Sequence, residues 1–268
     1  MSARAIGALT RAAWYQARSY RLSLLMQIGG IIVMALPTFF VASALQPTMA
    51  GAISAEADQY FAFVLVGTVA LMLTGVATTT LQGTIAGGIS TGYFEALLMT
   101  RAPLTSILAG LTSYGLLLAA LRSSVLIVAG AVLGAQIVWG NVLPALLILA
   151  LLVTIHWGVG LVAAALVIAF RTSGPVLQAV AMASLLFGGV YYPVSVIPSW
   201  LGIVAKVTPL AYGLPPLRRV LLQGEGFTSV GPDVVILTVM GVVALALGAL
   251  SIQAALRYAR RAGTLGTY

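Results

Sequence analysis

The side chains able to do chemistry are few, and each stands nearly alone. The single histidine, His156, sits in an apolar stretch with Trp157, Gly158 and Gly160 beside it. A lone imidazole in that setting serves as an interhelical hydrogen-bond partner or a proton relay, and with no second histidine it builds no metal site. Arg122 interrupts another apolar stretch. An arginine near the centre of a membrane helix costs on the order of 2.5–3.5 kcal/mol on insertion scales, so it must face protein or water. It contacts an anionic substrate headgroup there, or it bonds carbonyls and hydroxyls of neighbouring helices. Thr68, Thr74, Thr78, Thr79, Thr80, Gln82 and Thr84 crowd hydroxyl and amide groups onto a third stretch, where they line a polar path or serve helix packing. Arg122, Thr74, Thr78 and His156 are therefore the candidates for a substrate pathway.

The only lysine, Lys206, lies between Ala205 and Val207. A Walker A loop needs a lysine to reach the phosphates, so this chain has no nucleotide site of its own and is not an ATP-hydrolysing enzyme. Gly87, Gly88 and Gly92 serve turns and close packing rather than phosphate binding. Cysteine is absent, which excludes disulfides, thiolate catalysis, iron–sulfur ligation and cysteine-built zinc sites. No bound cofactor or metal is expected.

The elements that must position these residues are membrane helices. Of 268 residues 61% are hydrophobic and only 7% are charged, against about 25% charged in a typical soluble domain. The net charge of +8 does not point to nucleic acid, because the basic residues sit at the ends of apolar runs and form no patch interleaved with aromatics. About 20 apolar residues in a helix cross a hydrocarbon core of roughly 30 Å. Six stretches qualify: Leu22–Leu45, Tyr60–Gly83, Ile107–Gly134, Val142–Phe170, Val176–Tyr192 and Val234–Leu256. Arg4, Arg11, Arg18 and Arg21 precede the first, and Arg257, Arg260 and Arg261 follow the last. The positive-inside rule then puts both termini in the cytoplasm, with Arg101 and Arg171 on the same side and Lys206, Arg218 and Arg219 outside. At about 100° per residue the four N-terminal arginines share one face, with Ile6, Leu9, Ala13, Ala17 and Tyr20 opposite, which predicts a helix lying in the membrane interface.

The organisation read from this pattern is an all-α membrane protein. Residues 1–21 form the N-terminal amphipathic helix, 22–256 the six-helix transmembrane domain, and 257–268 a basic cytoplasmic tail. Within the domain a cytoplasmic loop covers 84–106. Between the fifth and sixth spans, residues 193–231 contain Pro193, Pro198, Pro209, Pro215 and Pro216, which exclude a straight span because proline lacks the amide donor and clashes with the preceding turn. Ser199–Val207, capped by Ser199, and Leu210–Leu222 can each make a short helix. Broken backbone at membrane depth needs protein or a wet cavity around it, so the segment reads as a re-entrant helical hairpin dipping from the outer face. Glu56, Asp58, Glu225 and Asp233 read as solvated charges, Asp233 at the start of the last helix. Arg218 and Arg219 read as snorkelling to lipid phosphates or guiding an anionic substrate out. Gly130 and Gly134 make a small-xxx-small pair.

Two sets of residues carry a resemblance. Phe187-Gly188-Gly189-Val190-Tyr191-Tyr192-Pro193, Ile197-Pro198-Ser199-Trp200-Leu201, Thr208-Pro209-Leu210-Ala211-Tyr212 and Leu217-Arg218-Arg219 through Gly224 resemble the C-terminal signature of ABC-2 type permeases. Gly92-Tyr93-Phe94-Glu95-Ala96-Leu97-Leu98-Met99-Thr100, with Pro103 following, resembles the cytoplasmic loop of the same family, although Arg101 and Ala102 here separate the threonine from the proline. The resemblance extends over essentially the whole chain. It implies the membrane subunit of an ATP-driven exporter: two permeases pair, as a homodimer or with a close homologue, and each docks one ATP-binding subunit that carries the ATP and magnesium. Transport is then outward, by alternating access, from a bacterial plasma membrane. Gly92, Tyr93, Phe94, Glu95, Leu97, Leu98 and Arg101 would form the ATPase-coupling loop, its apolar Phe94, Leu97 and Leu98 fitting a groove on the partner. Tyr191, Tyr192, Pro193, Pro198, Trp200, Pro209 and Tyr212 would form the external gate. Family members export drugs, lipids or lipid-linked polysaccharides, and the scarcity of aromatics within the spans favours an amphipathic small molecule or lipid over a sugar polymer. The competing readings are a proton-coupled secondary transporter, which would need more intramembrane titratable groups than His156, and a non-transporting envelope scaffold, which would not hold an ATPase.

Overall fold

The computed structural model describes residues 3–19 and 21–261, and these fold into ten α-helices with no strand among them. In chain order they are α1 (Ala3–Ser19), α2 (Arg21–Ile53), α3 (Tyr60–Ser90), α4 (Tyr93–Leu98), α5 (Leu104–Val132), α6 (Val142–Phe170), α7 (Gly174–Phe187), α8 (Gly202–Val207), α9 (Pro209–Leu222) and α10 (Phe227–Arg261). α2, α3, α5, α6 and α10 are long and apolar enough to cross a membrane. The stretch expected to be the fifth of six spans is instead the 14-residue α7, about 21 Å long at ~1.5 Å per residue. The chain leaves it through irregular backbone from Gly188 to Leu201.

Several boundaries differ from those legible in hydropathy. Val142–Phe170 appears as expected, and it ends where Arg171 adopts a left-handed conformation (φ 58°) ahead of the Gly174-Pro175 start of α7. α2 runs to Ile53 through Pro47, and α3 runs to Ser90, so Thr84–Ser90 of the expected loop is helical. α10 begins at Phe227, takes in Pro232 and continues to Arg261, absorbing the end of the expected hairpin and the start of the expected tail. Pro232 removes a single ladder bond near the helix start, which the helix tolerates. Residues 262–268 and Tyr20 lie outside the described residues. In the expected hairpin, Pro198 starts a turn by accepting from the amides of Leu201 and Gly202. α8 therefore begins at Gly202, and Ser199 does not cap it.

α3 and α6 form the centre. α10 packs along the far side of α6, α5 along α3, and α1 along α5, while α9 lies across one end against α3, α6 and α10. α2 packs on α3 and α5 but leaves much of its surface open. Polar and small residues decide how close these helices come. An added Cβ at Gly158 would sit 2.6 Å from the Ala244 carbonyl carbon of α10, and one at Gly160 would sit 2.8 Å from the Ala77 oxygen of α3. α6 is thus clamped between two backbones, the arrangement small residues permit in a solvent where apolar burial alone drives no association. Of the small-xxx-small pair, Gly130 receives Leu65 of α3, whereas Gly134 adopts a positive φ in the turn after α5 and meets nothing. α1 presents Leu9 to Gly110, bonds Thr10 to Ser113 and sets Trp14 edge-on to Tyr114, with Arg4, Arg11 and Arg18 exposed. The face carrying Leu9 and Thr10 therefore packs on α5, while the arginines stay exposed.

Because the Gly158 site leaves no volume, Gly158→Val is expected to destabilise the fold by about 1–3 kcal/mol. Thermal unfolding in detergent micelles measures this. Gly29→Ala, where an added methyl meets nothing within 4 Å, is the control expected to stay at the parent melting temperature.

Candidate functional site

Three of the four expected pathway residues come together. α3, α6 and α7 surround a cavity of about 280 Å³ lined by Thr74, Thr78, Thr79 and His156, with Leu71, Leu177, Val180 and Leu185 among its apolar walls. The hydroxyls of Thr74, Thr78 and Thr79 donate to the carbonyls of Ala70, Thr74 and Gly75 one turn back at 2.8–2.9 Å. Each proton is thus used within the helix, and the oxygen keeps only acceptor capacity. His156 Nδ1 lies 2.9 Å from the Leu152 carbonyl, and a carbonyl can only accept, so Nδ1 carries the proton of the neutral ring. Nε2 is then an acceptor, and it is buried with no hydrogen-bond partner. The cavity consequently offers apolar walls, these acceptors and, from α7, the hydroxyl of Ser184. Arg122 is not part of it: it stands on α5, and its Nε is buried without a partner.

At the α9 end the helices meet around Arg218, which is 0% exposed. Its Nη1 donates to Glu56 Oε2 at 2.8 Å, Nε to the Phe63 carbonyl at 3.1 Å, and Nη2 to the carbonyls of Gly189 at 2.8 Å and Val190 at 3.0 Å. The guanidinium also lies 3.3 Å from the Phe63 ring centroid, a cation–π contact strengthened by desolvation. Burial lowers the Arg218 guanidinium to about 10, and Glu56 opposes that shift, so the group stays charged at neutral pH. Arg219, on the adjacent face of α9, pairs with Glu225 at 3.2 Å and with Asp233 in α10 at 2.6 Å. These pairs correct the reading of Arg218 and Arg219 as snorkelling and of Glu56, Glu225 and Asp233 as merely solvated. No local pattern joins residue 56 to residue 218. The only signal available was a carboxylate and an arginine in otherwise apolar surroundings.

The residues expected to form an external gate are divided. Tyr191 accepts at its carbonyl from Tyr60 Oη at 2.8 Å, Tyr192 Oη donates to the Leu186 carbonyl, and Pro193 is buried. Tyr212 Oη donates to the Lys206 carbonyl at 3.0 Å, which ties α9 to α8. Pro209 opens α9, while Pro198 and Trp200 are exposed, Trp200 to 75%. At the opposite end Gly92 (φ 70°) turns the chain from α3 into α4. Phe94 is 1% exposed and packs with Leu81, Ile85 and Leu108, with Leu98 against the same cluster and Leu97 half-buried. That corrects the expected apolar docking face, because Phe94 belongs to this chain's own core. The groups turned outward are Tyr93, Ala96, Met99 (90% exposed) and Arg101. The Glu95 side chain lies outside the described residues.

A bundle of long apolar helices with a cavity between α3, α6 and α7, a buried charge cluster at one end and a short helix at the other, is the form of a multi-pass membrane protein. A family model described as ABC-2 type transporter matches residues 4–222, and the chain belongs to that family. Its members are membrane transport components without a nucleotide-binding domain of their own, and its permeases generally work with ABC ATP-binding subunits. Comparison with curated proteins gave no match. The family match ends at Leu222, the last residue of α9.

Removing one member of a buried ion pair strands the other, at a cost of about 3–5 kcal/mol. Glu56→Ala is therefore expected to lower the unfolding temperature more than any exposed charge removal. Adding Arg218→Met to Glu56→Ala should restore part of the loss. A double variant no more stable than the single would contradict the pairing.

Proposed function

We propose that this chain is the permease subunit of an ATP-driven exporter, and that its cargo is a neutral or cationic amphipathic molecule bearing a hydrogen-bond donor. The observation that carries the proposal is the cavity between α3, α6 and α7. It is walled by aliphatic side chains, and Thr74, Thr78, Thr79 and His156 face a ligand with acceptors, while Ser184 adds one uncharged hydroxyl. An anionic headgroup would find no lysine or arginine among the lining side chains. A molecule with an amine, hydroxyl or amide N–H would satisfy the open His156 Nε2, which otherwise remains a buried polar atom without a partner.

Power comes from a separate ATP-binding subunit, which holds the ATP and magnesium. The α4 end carries Arg101, Arg171, Arg257, Arg260 and Arg261, and this concentration of cations supports its placement in the cytoplasm, with both termini on that side of the plasma membrane. α4 and the turn after it display Tyr93, Met99 and Arg101 there as the contact for the ATPase. The α9 end is then external and the direction of transport outward. α7, with the irregular segment that follows it, completes a sixth crossing. Two copies of the permease, the same or closely homologous, pair with two ATPase subunits.

Reconstitution with the partner ATPase tests both parts. Amphipathic compounds bearing a donor should stimulate ATP hydrolysis, and His156→Leu should raise the concentration needed for half-maximal stimulation about tenfold, the equivalent of about 1.4 kcal/mol. Compounds without a donor should be unaffected, and an equal change for both kinds would rule the donor out. Separately, Tyr93→Asp combined with Met99→Asp should abolish copurification of the ATPase while helical circular dichroism is unchanged; undiminished copurification would move the contact elsewhere.

A further inference from the structure

The Arg218 cluster stands one helical turn from the cavity, on its α9 side. An added Cβ at Gly67 would lie 2.6 Å from the Val190 oxygen and 2.8 Å from Arg218 Nη2, and Leu71, four residues further along α3, already lines the cavity. Across from Gly67, the end of α7 behaves in the same way: Ser184 lines the cavity, and Gly188 fits against Leu210 of α9 with no room for a methyl group. Between these close approaches Val66, Ala70, Val190 and Leu210 form an apolar plug, all buried in one cluster.

Apolar contact alone does not explain why the Gly189–Val190 segment stays in place. It is irregular backbone at positive φ at Gly189, and its two carbonyls are held by one Nη2 at 2.8 and 3.0 Å. The same guanidinium is anchored to α3 through the Phe63 carbonyl and ring and to the α2–α3 turn through Glu56. One side chain on α9 therefore fastens the segment after α7 to the start of α3, across the gap that would have to widen for the cavity to open at this end.

We infer that Arg218, held by Glu56, is the latch that keeps the α9 end of the cavity closed. It acts as a positioning residue, by fixing Gly189 and Val190 against Gly67 of α3 rather than by touching cargo. Opening breaks the two Nη2 bonds and leaves Glu56 and Phe63 as the guanidinium's partners, so the charge is never stranded while the plug moves away. The inference deepens the export reading, since it rests on the cavity being the cargo's route, but it is tested without any cargo.

The chain has no cysteine, so single cysteines can be placed in it without background. Ser184→Cys puts a near-isosteric thiol in the cavity wall, and Thr112→Cys, buried in α5 toward the opposite end, reports general loosening. Gln223→Cys, exposed beyond α9, identifies which face of a sealed vesicle carries the α9 end. A membrane-impermeant thiol reagent is applied to that face of vesicles containing the permease with its ATPase and no added compound. Arg218→Gln is expected to raise the labelling rate of Ser184→Cys at least tenfold, and the milder Glu56→Gln about threefold, with Thr112→Cys unchanged in both. Unaltered labelling at position 184 would overturn the latch. So would a parallel rise at position 112, which would make Arg218 a general support of the fold. Failure of the export reading would appear instead in the stimulation assay, with the labelling result untouched.

Discussion

A guanidinium with no route to water must find every partner in protein, and this demand organises one whole end of the molecule. Left unpaired, a buried charge costs many kcal/mol, and even a paired one recovers its desolvation only where geometry and extra hydrogen bonds are good. Arg218 meets the requirement with a carboxylate, three carbonyls and an aromatic face drawn from three other parts of the chain. The turn after α2, the first turns of α3, the exit from α7 and the middle of α9 must all be placed before it is satisfied. Arg219, about 100° around the same helix, is partly exposed and ties α9 to α10 through Asp233.

The cavity follows from a second economy of polar groups. α3 carries many threonines yet builds a nearly apolar wall, because its hydroxyl protons turn back on the helix's own carbonyls. What these threonines leave to the cavity is acceptor capacity, shared with an imidazole nitrogen fixed by the Leu152 bond. Glycine 160 lets α6 lie close enough to α3 for these groups to share one space. Packing and chemistry are therefore set by the same residues.

Much of the scaffold was legible in the amino-acid sequence, and the misreadings share a physical origin. Val142–Phe170 was bounded correctly because polar and turn-forming residues flank it on both sides. α3 and α10 outran their expected ends because hydropathy marks where hydrocarbon stops, whereas helices continue into water or protein as long as backbone bonds can form. Thr74, Thr78 and His156 were picked out by residue type, and the fold brought them together. Arg122 was picked out by the same reasoning and lies elsewhere, since depth in a span says nothing of which face is turned inward. Phe94 read as a docking residue because an amphipathic pattern does not distinguish a partner's groove from the chain's own core. The Arg218 cluster was beyond reach of local patterns, as its members stand up to 162 positions apart.

The inward-turned hydroxyls of α3 bear on how such a protein is made. During synthesis a membrane helix meets lipid before its later neighbours exist, and α3 precedes α6 and α7 by many residues. A helix whose threonines are already satisfied by its own backbone presents lipid with methyl groups, not with unmet hydrogen bonds. It can wait in the bilayer as a self-contained rod and still deliver its acceptor oxygens when the remaining walls of the cavity arrive.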